Sequence, residues 1–222
     1  MLVVIGILLA IQINSWNESR KINDSIRGHL SILKQNLLED QEQLALLYKQ
    51  SSENVIYSDS LLRQIRTEIP VSPLSKKFLI KLILEYRFKP NTNAKNMFEQ
   101  SNELPILDTK LQTAILNYYT LIESTQEREH ISNTQIQTKY ENHINEYYSE
   151  LFQKDNSWDF ISQFYATDPR SPIPLDAQKL ISDGKLEAMI LSRYFQNTQL
   201  KDFYNELLAS SEKLIGLLDE RR

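Results

Sequence analysis

Residues 1–37 read MLVVIGILLAIQINSWNESRKINDSIRGHLSILKQNL. The first seventeen carry no charge, and they pass without a proline or a turn signal into a polar, helix-forming segment at Glu18. The apolar block proper, residues 1–11, covers only roughly 16 Å at about 1.5 Å per residue, and the whole uncharged stretch roughly 26 Å, against a hydrocarbon core of about 30 Å. Three readings fit such a segment. A signal peptide would need a basic region ahead of the apolar block and a small-residue cleavage site, and neither is present. A buried helix of a soluble domain would need a partner surface for a helix that is apolar all round. The C-terminal part of a transmembrane helix uses the all-round apolarity directly and puts Trp16 where an interfacial aromatic belongs, with Gln12 and Asn14 at headgroup level. The third reading predicts a membrane interface at Gln12, Asn14 and Trp16.

Beyond the junction the apolar stripe continues. Ile22, Ile26, Leu30, Leu33, Leu37, Leu44, Leu47, Val55, Leu62 and Ile65 step mostly by three, four or seven, which predicts one long helix over 18–67. Pro70 and Pro73 end it, and Ser72-Pro73 is a helix start. Periodicity then predicts helices over 73–88, 93–101, 108–154, 176–183 and 185–220, with Asp108 and Asp176 as N-caps. The polar run 123–134 reads as an exposed midsection or a local break. Residues 167–176, TDPRSPIPLD, hold three prolines and predict a linker. Strand alternation is sustained nowhere. The expected class is all-α: an antiparallel helical bundle on a long N-terminal helix continuous with a truncated transmembrane helix, 1–17 belonging to the membrane and 18–222 to one extramembrane domain. NMFEQSNELPIL and QKLISDGKLEAM form a weak internal echo, each a short helix, a Ser-Asx boundary and then a long helix.

The segment LVVIGILLAIQINSWNESRK resembles the opening of an uncharacterised family of single-pass membrane proteins from Bacteroidota, whose members read VVIGILIALQINNWNE followed by charged residues. SNELPILDTKLQTAILNYY at 101–119 and LISDGKLEAMILSRY at 180–194 resemble the same family. Members carry a basic amphipathic segment and further apolar residues before this point, so the resemblance implies a chain that starts inside the span. It also bears on orientation. Counting Arg20, Lys21 and Arg27 alone would place the body in the cytoplasm, whereas the family's upstream basic residues imply an inner-membrane protein with its C-terminal domain in the periplasm. The family has no assigned activity.

Composition excludes several function classes. Only 4 glycines and 7 prolines occur in 222 residues, as expected of long helices with few tight turns. A net charge of −4 leaves no basic footprint, so nucleic acid is not an expected partner. Zero cysteines rule out disulfides, thiolate metal sites and a cysteine nucleophile. The four glycines are isolated, giving no phosphate loop, and there is no G-x-S-x-G elbow. Glu127-x-x-His130 has the spacing of a di-iron carboxylate ligand pair, but His143 and His29 lack the matching glutamate three residues earlier, so no metal site is expected. The pairs Tyr118/Tyr119 and Tyr147/Tyr148 could form an aromatic cage, yet one residue of each lies on the apolar stripe and the other at its edge, as core packing requires.

No enzymatic activity and no cofactor are expected. The expected role is protein–protein interaction or scaffolding at the membrane, the partners being the lipid bilayer and a homo-oligomer or membrane protein engaged through the long N-terminal helix. The alternative is a periplasmic small-ligand-sensing four-helix bundle acting through a partner, with a cavity lined by Tyr118, Tyr147 or Tyr194.

Overall fold

A computed structural model of the chain describes residues 2–154 and 163–220. Among these the fold is all-helical with no strand. Helix α1 runs from Leu2–Ile65 without a break, through the apolar opening and the whole predicted stripe. It stops because Thr67 turns to φ 60, with Thr67 N–H donating to the Gln64 carbonyl (3.0 Å) and Glu68 N–H to the Arg63 carbonyl (2.9 Å). That double bond is the Schellman closure, normally completed by glycine; a β-branched residue in the left-handed region is strained. The expectation that α1 continues a transmembrane span is not supported by the described residues, because no helix among them is long and apolar enough to cross a membrane.

The other elements are α2 (Ser75–Leu82), α3 (Asn93–Ser101), α4 (Thr109–Gln135), α5 (Glu141–Tyr147), α6 (Ala177–Ser182) and α7 (Gly184–Asp219). The expected N-caps form. Asp108 Oδ1 accepts from Leu111 N–H at 3.0 Å, and Asp176 Oδ1 from Gln178 and Lys179 N–H at 2.9 and 3.2 Å. Asn102, at φ 52, closes α3.

Two expected helices are corrected. The helix over 73–88 ends at Leu82, and residues 84–92 have no regular secondary structure, for reasons that lie in α1, α4 and α7. The helix over 108–154 is interrupted by a π turn at Ile136–Tyr140, where Glu141 N–H reaches back five residues to the Ile136 carbonyl, and it ends at Tyr147 before a 3₁₀ turn at Ser149–Phe152. The π turn has a packing cause. Ile136, Tyr140, Ile144 and Tyr148 are all buried at steps of four, and each such step overruns a 3.6-residue turn by about 40°. One extra residue in the turn absorbs that drift and keeps all four on the core. The polar run 123–134 is neither broken nor wholly exposed: Thr125, Glu129, Ser132 and Asn133 on it are buried.

The chain forms two compact units. The first comprises 1–43, 89–120 and 208–222, the second 44–88 and 121–207. In the first, the buried residues include Leu33 and Leu37 of α1, Phe98 of α3, Leu111, Ile115 and Tyr118 of α4, and Leu214 of α7. A buried carboxylate fastens it: Asp40 accepts from Asn91 N–H (2.9 Å) and from the Tyr118 hydroxyl (2.8 Å). In the second, Leu61, Leu62 and Ile65 of α1 join Leu79, Ile80 and Leu82 of α2, Tyr140 and Ile144 near the π turn, and Leu186 and Ile190 of α7 in one apolar cluster. The Gln64 side-chain carbonyl accepts from Ser72 N–H (3.1 Å) and from the Ser75 hydroxyl, which holds the start of α2 against the end of α1.

Candidate functional site

Gln12, Asn14 and Trp16 lie on the first turns of α1, and among the described residues no other segment covers them. Val4, Ile5, Ile7, Leu8, Leu9, Ile11, Ile13 and Trp16 each leave between 52 and 65% of their surface open. Gln12 and Asn14 are exposed as well, and the first buried side chain of α1 is Ile26. Local contacts alone order this stretch: Asn14 Nδ2 donates to Glu18 at 3.2 Å, and the Arg20 guanidinium stands 5.6 Å from the Trp16 ring, a cation–π distance. A helix that is apolar around its whole circumference and has no protein neighbour presents a surface that water disfavours, at about 25 cal/mol per Å². From Trp16 to Ser25 the same helix is polar apart from Ile22, a rise of roughly 14 Å, and the Ser25 side chain hydrogen-bonds Glu103.

The second unit holds a site of opposite character. Residues 84–88 run extended, with Tyr86 and Phe88 buried and Arg87 exposed between them. Among the described residues no backbone group from 85 to 90 pairs with another backbone group, so side chains must supply the partners. Asn133 of α4 takes both polar groups of Tyr86, its Oδ1 accepting from Tyr86 N–H (3.1 Å) and its Nδ2 donating to the Tyr86 carbonyl (2.7 Å). Glu129, one helical turn earlier, accepts from Phe88 N–H with both oxygens (2.9 and 3.0 Å), and Gln126 Nε2 donates to the Phe88 carbonyl (3.4 Å). Asn54 of α1 donates to the Lys81 carbonyl (3.2 Å) and to the Tyr86 hydroxyl (2.5 Å). Arg193 of α7 donates through Nε to the Leu82 carbonyl (2.8 Å).

Arg193 is 1% exposed, the largest fully buried side chain. Its guanidinium also donates to Ser132 Oγ (2.7 Å), Gln196 Oε1 (2.9 Å) and Asn197 Oδ1 (3.4 Å), and the rings of Tyr86 and Tyr140 lie 5.9 and 6.0 Å from it. Among the described residues no carboxylate stands within ion-pair reach of it. Burial pulls the Arg193 guanidinium below the usual arginine range, the hydroxyls of Tyr86, Tyr140 and Tyr204 acting the other way. Burial likewise pushes the Glu129 carboxyl up, against the pull of the Tyr204 hydroxyl (2.7 Å) and Phe88 N–H, and pushes the Tyr86 hydroxyl up to about 12. A buried charge held only by neutral dipoles is costly to create and costlier to strip of those dipoles. Beside it Leu79, Leu82, Ile83, Tyr140, Ile144, Leu186, Met189 and Ile190 enclose a cavity of about 10 Å³, room for one water at most. Tyr118, Tyr147 and Tyr194 do not line it.

The histidines divide. His130 and Glu127 are both exposed, and among the described residues no three potential ligands gather around a metal position. His29 Nδ1 meets Glu103 Oε2 at 2.5 Å in the first unit. In the second, His143 Nε2 meets Asp183 Oδ2 at 2.7 Å, and the Tyr148 hydroxyl donates to the same oxygen at 3.0 Å. Asp183 also caps α7 by accepting from Leu186 N–H at 2.9 Å. Burial alone would raise its carboxyl, but the Leu186 amide, His143 and Tyr148 together bring it below the usual range. Tyr118 and Tyr119 are both buried, whereas Tyr147 is exposed and Tyr148 is not.

Sequence reasoning singled out none of Asn133, Glu129 and Arg193. Their legible signal was Tyr86-x-Phe88 between charged residues and directly before Lys89-Pro90, since a residue preceding proline is pushed towards extended backbone. No curated protein and no solved structure matches the chain. A family match spans residues 1–164, from the exposed apolar turns of α1 through the extended segment to the 3₁₀ turn and beyond. The chain belongs to DUF6090, a family of unknown function.

Proposed function

We propose that the protein is a membrane-tethered helical bundle: the first turns of α1 embed in lipid, Gln12, Asn14 and Trp16 sit at the headgroups, and the bundle is presented to a protein partner. The observation that carries this reading is the open apolar surface of α1 from Val4 to Ile13, which no other segment among the described residues covers. Exposed Leu38, Leu46 and Ile56 further along α1 support the interaction half. Periplasmic placement of the bundle in the inner membrane rests on the resemblance to single-pass proteins with basic residues ahead of the apolar stretch.

Flotation with vesicles of phosphatidylethanolamine and phosphatidylglycerol tests the tether. The chain is expected to rise with the vesicles, and Leu8→Glu with Ile11→Glu to leave it at the bottom of the gradient. A wild-type chain that stays at the bottom overturns the reading. A topology reporter fused after Arg222 reads the side of the membrane.

A further inference from the structure

Segment 83–88 is held the way a receptor holds a peptide. Three helix side chains, Asn133, Glu129 and Gln126, bind its backbone atoms, which every polypeptide has, while the buried seats of Tyr86 and Phe88 and the bond from Asn54 to the Tyr86 hydroxyl ask for particular side chains. Specificity in strand-type recognition divides in this manner, main-chain bonds giving affinity and pockets for alternate side chains giving selectivity. Ile83 and Leu84 N–H still close the last turn of α2, but among the described residues no backbone group of 85–88 pairs with another backbone group. Its outward side chains, Glu85 and Arg87, bond to each other at 3.0 Å, and Glu85 reaches Gln137 on α4 at 2.5 Å.

We propose that this groove in the second unit is a docking site for an extended segment of a partner protein carrying aromatic residues two apart, and that residues 83–88 are its resident occupant. The contacts set what the partner must offer. The first aromatic residue needs a free N–H and C=O for Asn133, the second a free N–H for Glu129, so proline is excluded at both positions. A charged or polar residue fits between them, because that position faces out. The inference rests on the interaction half of the proposed function and not on the lipid half. Its test is done in detergent on the full chain, so a failure here is distinct from a failure to float.

A fluorescent peptide of residues 82–91, LILEYRFKPN, is titrated into the wild-type chain and into the Tyr86→Ala chain, whose own segment has lost one anchor while the groove is intact. Peptide affinity is expected to rise at least ten-fold in Tyr86→Ala, to vanish when Asn133→Ala is added, and to be absent for a peptide with Ser at both aromatic positions. Should Tyr86→Ala fail to fold, Lys89→Gly with Pro90→Gly replaces it, freeing the chain just after the segment and leaving every groove residue in place. Equal or no binding to the loosened and wild-type chains overturns the proposal, as does binding indifferent to Asn133→Ala. A loosened chain that dimerises and excludes the peptide makes a second copy the occupant, and the proposal of a different partner falls.

Discussion

Residues 4–16 form a helix with no neighbouring segment among the described residues, and residues 84–88 a segment without helix that is flanked by α1, α4 and α7; both must satisfy the same backbone groups. The helix does so internally, each N–H meeting a carbonyl four residues back, and is left with apolar side chains that nothing covers. The extended segment has Tyr86 and Phe88 covered and its backbone without backbone partners, so it borrows them from Asn133, Glu129 and Gln126, while Asn54 and Arg193 take the last carbonyls of α2 just before it. The difference teaches where order comes from. An isolated helix of some dozen residues is marginal in water, and this one persists as the outward continuation of a helix whose later turns are packed. The extended segment persists only while polar side chains distant in sequence hold position.

Breaking the enclosed region should therefore cost most. Phe88→Ala removes a fully covered ring and is expected to lower unfolding free energy by about 3–5 kcal/mol in chemical denaturation. Asn133→Ala strands both backbone groups of Tyr86 and is expected to cost about 2–6 kcal/mol, from roughly 1–3 for each unpaired group. Replacing Asn133 with Asp should not restore it, since a carboxylate cannot donate to the Tyr86 carbonyl.

Glu129→Gln is smaller and carries a pH signature. Burial raises the Glu129 carboxyl in the folded chain above its unfolded value near 4.5, so folding favours its protonated form. Its contribution is then full below pH 4.5 and lost as the pH climbs through the folded value. Stability of the wild type relative to the Gln variant is expected to fall over that interval and to level off above it, a difference readable in denaturation curves from pH 4 to 8. A gap between the two proteins that widens in favour of the wild type with rising pH would contradict the burial argument. At the free end of α1 the comparison predicts almost nothing for the fold. Leu8→Ser with Ile11→Ser should change unfolding free energy by less than about 0.5 kcal/mol, because exposed positions contribute little, while vesicle flotation weakens.

The two regions also differ in how far they could be read in advance. Helix α1 was legible because an apolar stripe with no proline before Pro70 and only the isolated Gly6 and Gly28 within it has one physical interpretation, and α3 has the expected bounds. The extended segment was not. Residues 78–86 carry helix-compatible spacing, and what unwinds them after Leu82 is hydrogen bonding from α1, α4 and α7, up to 111 residues away. Local pattern contains no trace of that competition except the Tyr-x-Phe step before Lys89-Pro90. Glu129 and Asn133 were hidden for a related reason: within a run of polar residues, composition indicates solvent, and only the fold picks out the two that turn inward. The apolar opening was read as the end of a transmembrane helix; its turns stand exposed, and among the described residues no helix is long and apolar enough to cross a membrane. Their covering is the subject of the flotation test.

The π turn at Ile136–Tyr140 makes α4 and α5 behave like a text with one extra letter. Excising a single outward residue there, Thr138 for example, would turn the i→i−5 bond into an ordinary i→i−4 bond and leave Tyr140, Ile144 and Tyr148 on the interior. The same excision in the regular part of α4 would advance everything downstream by about 100° and part His143 from Asp183, so a deletion inside the π turn should be far milder than one a few turns earlier.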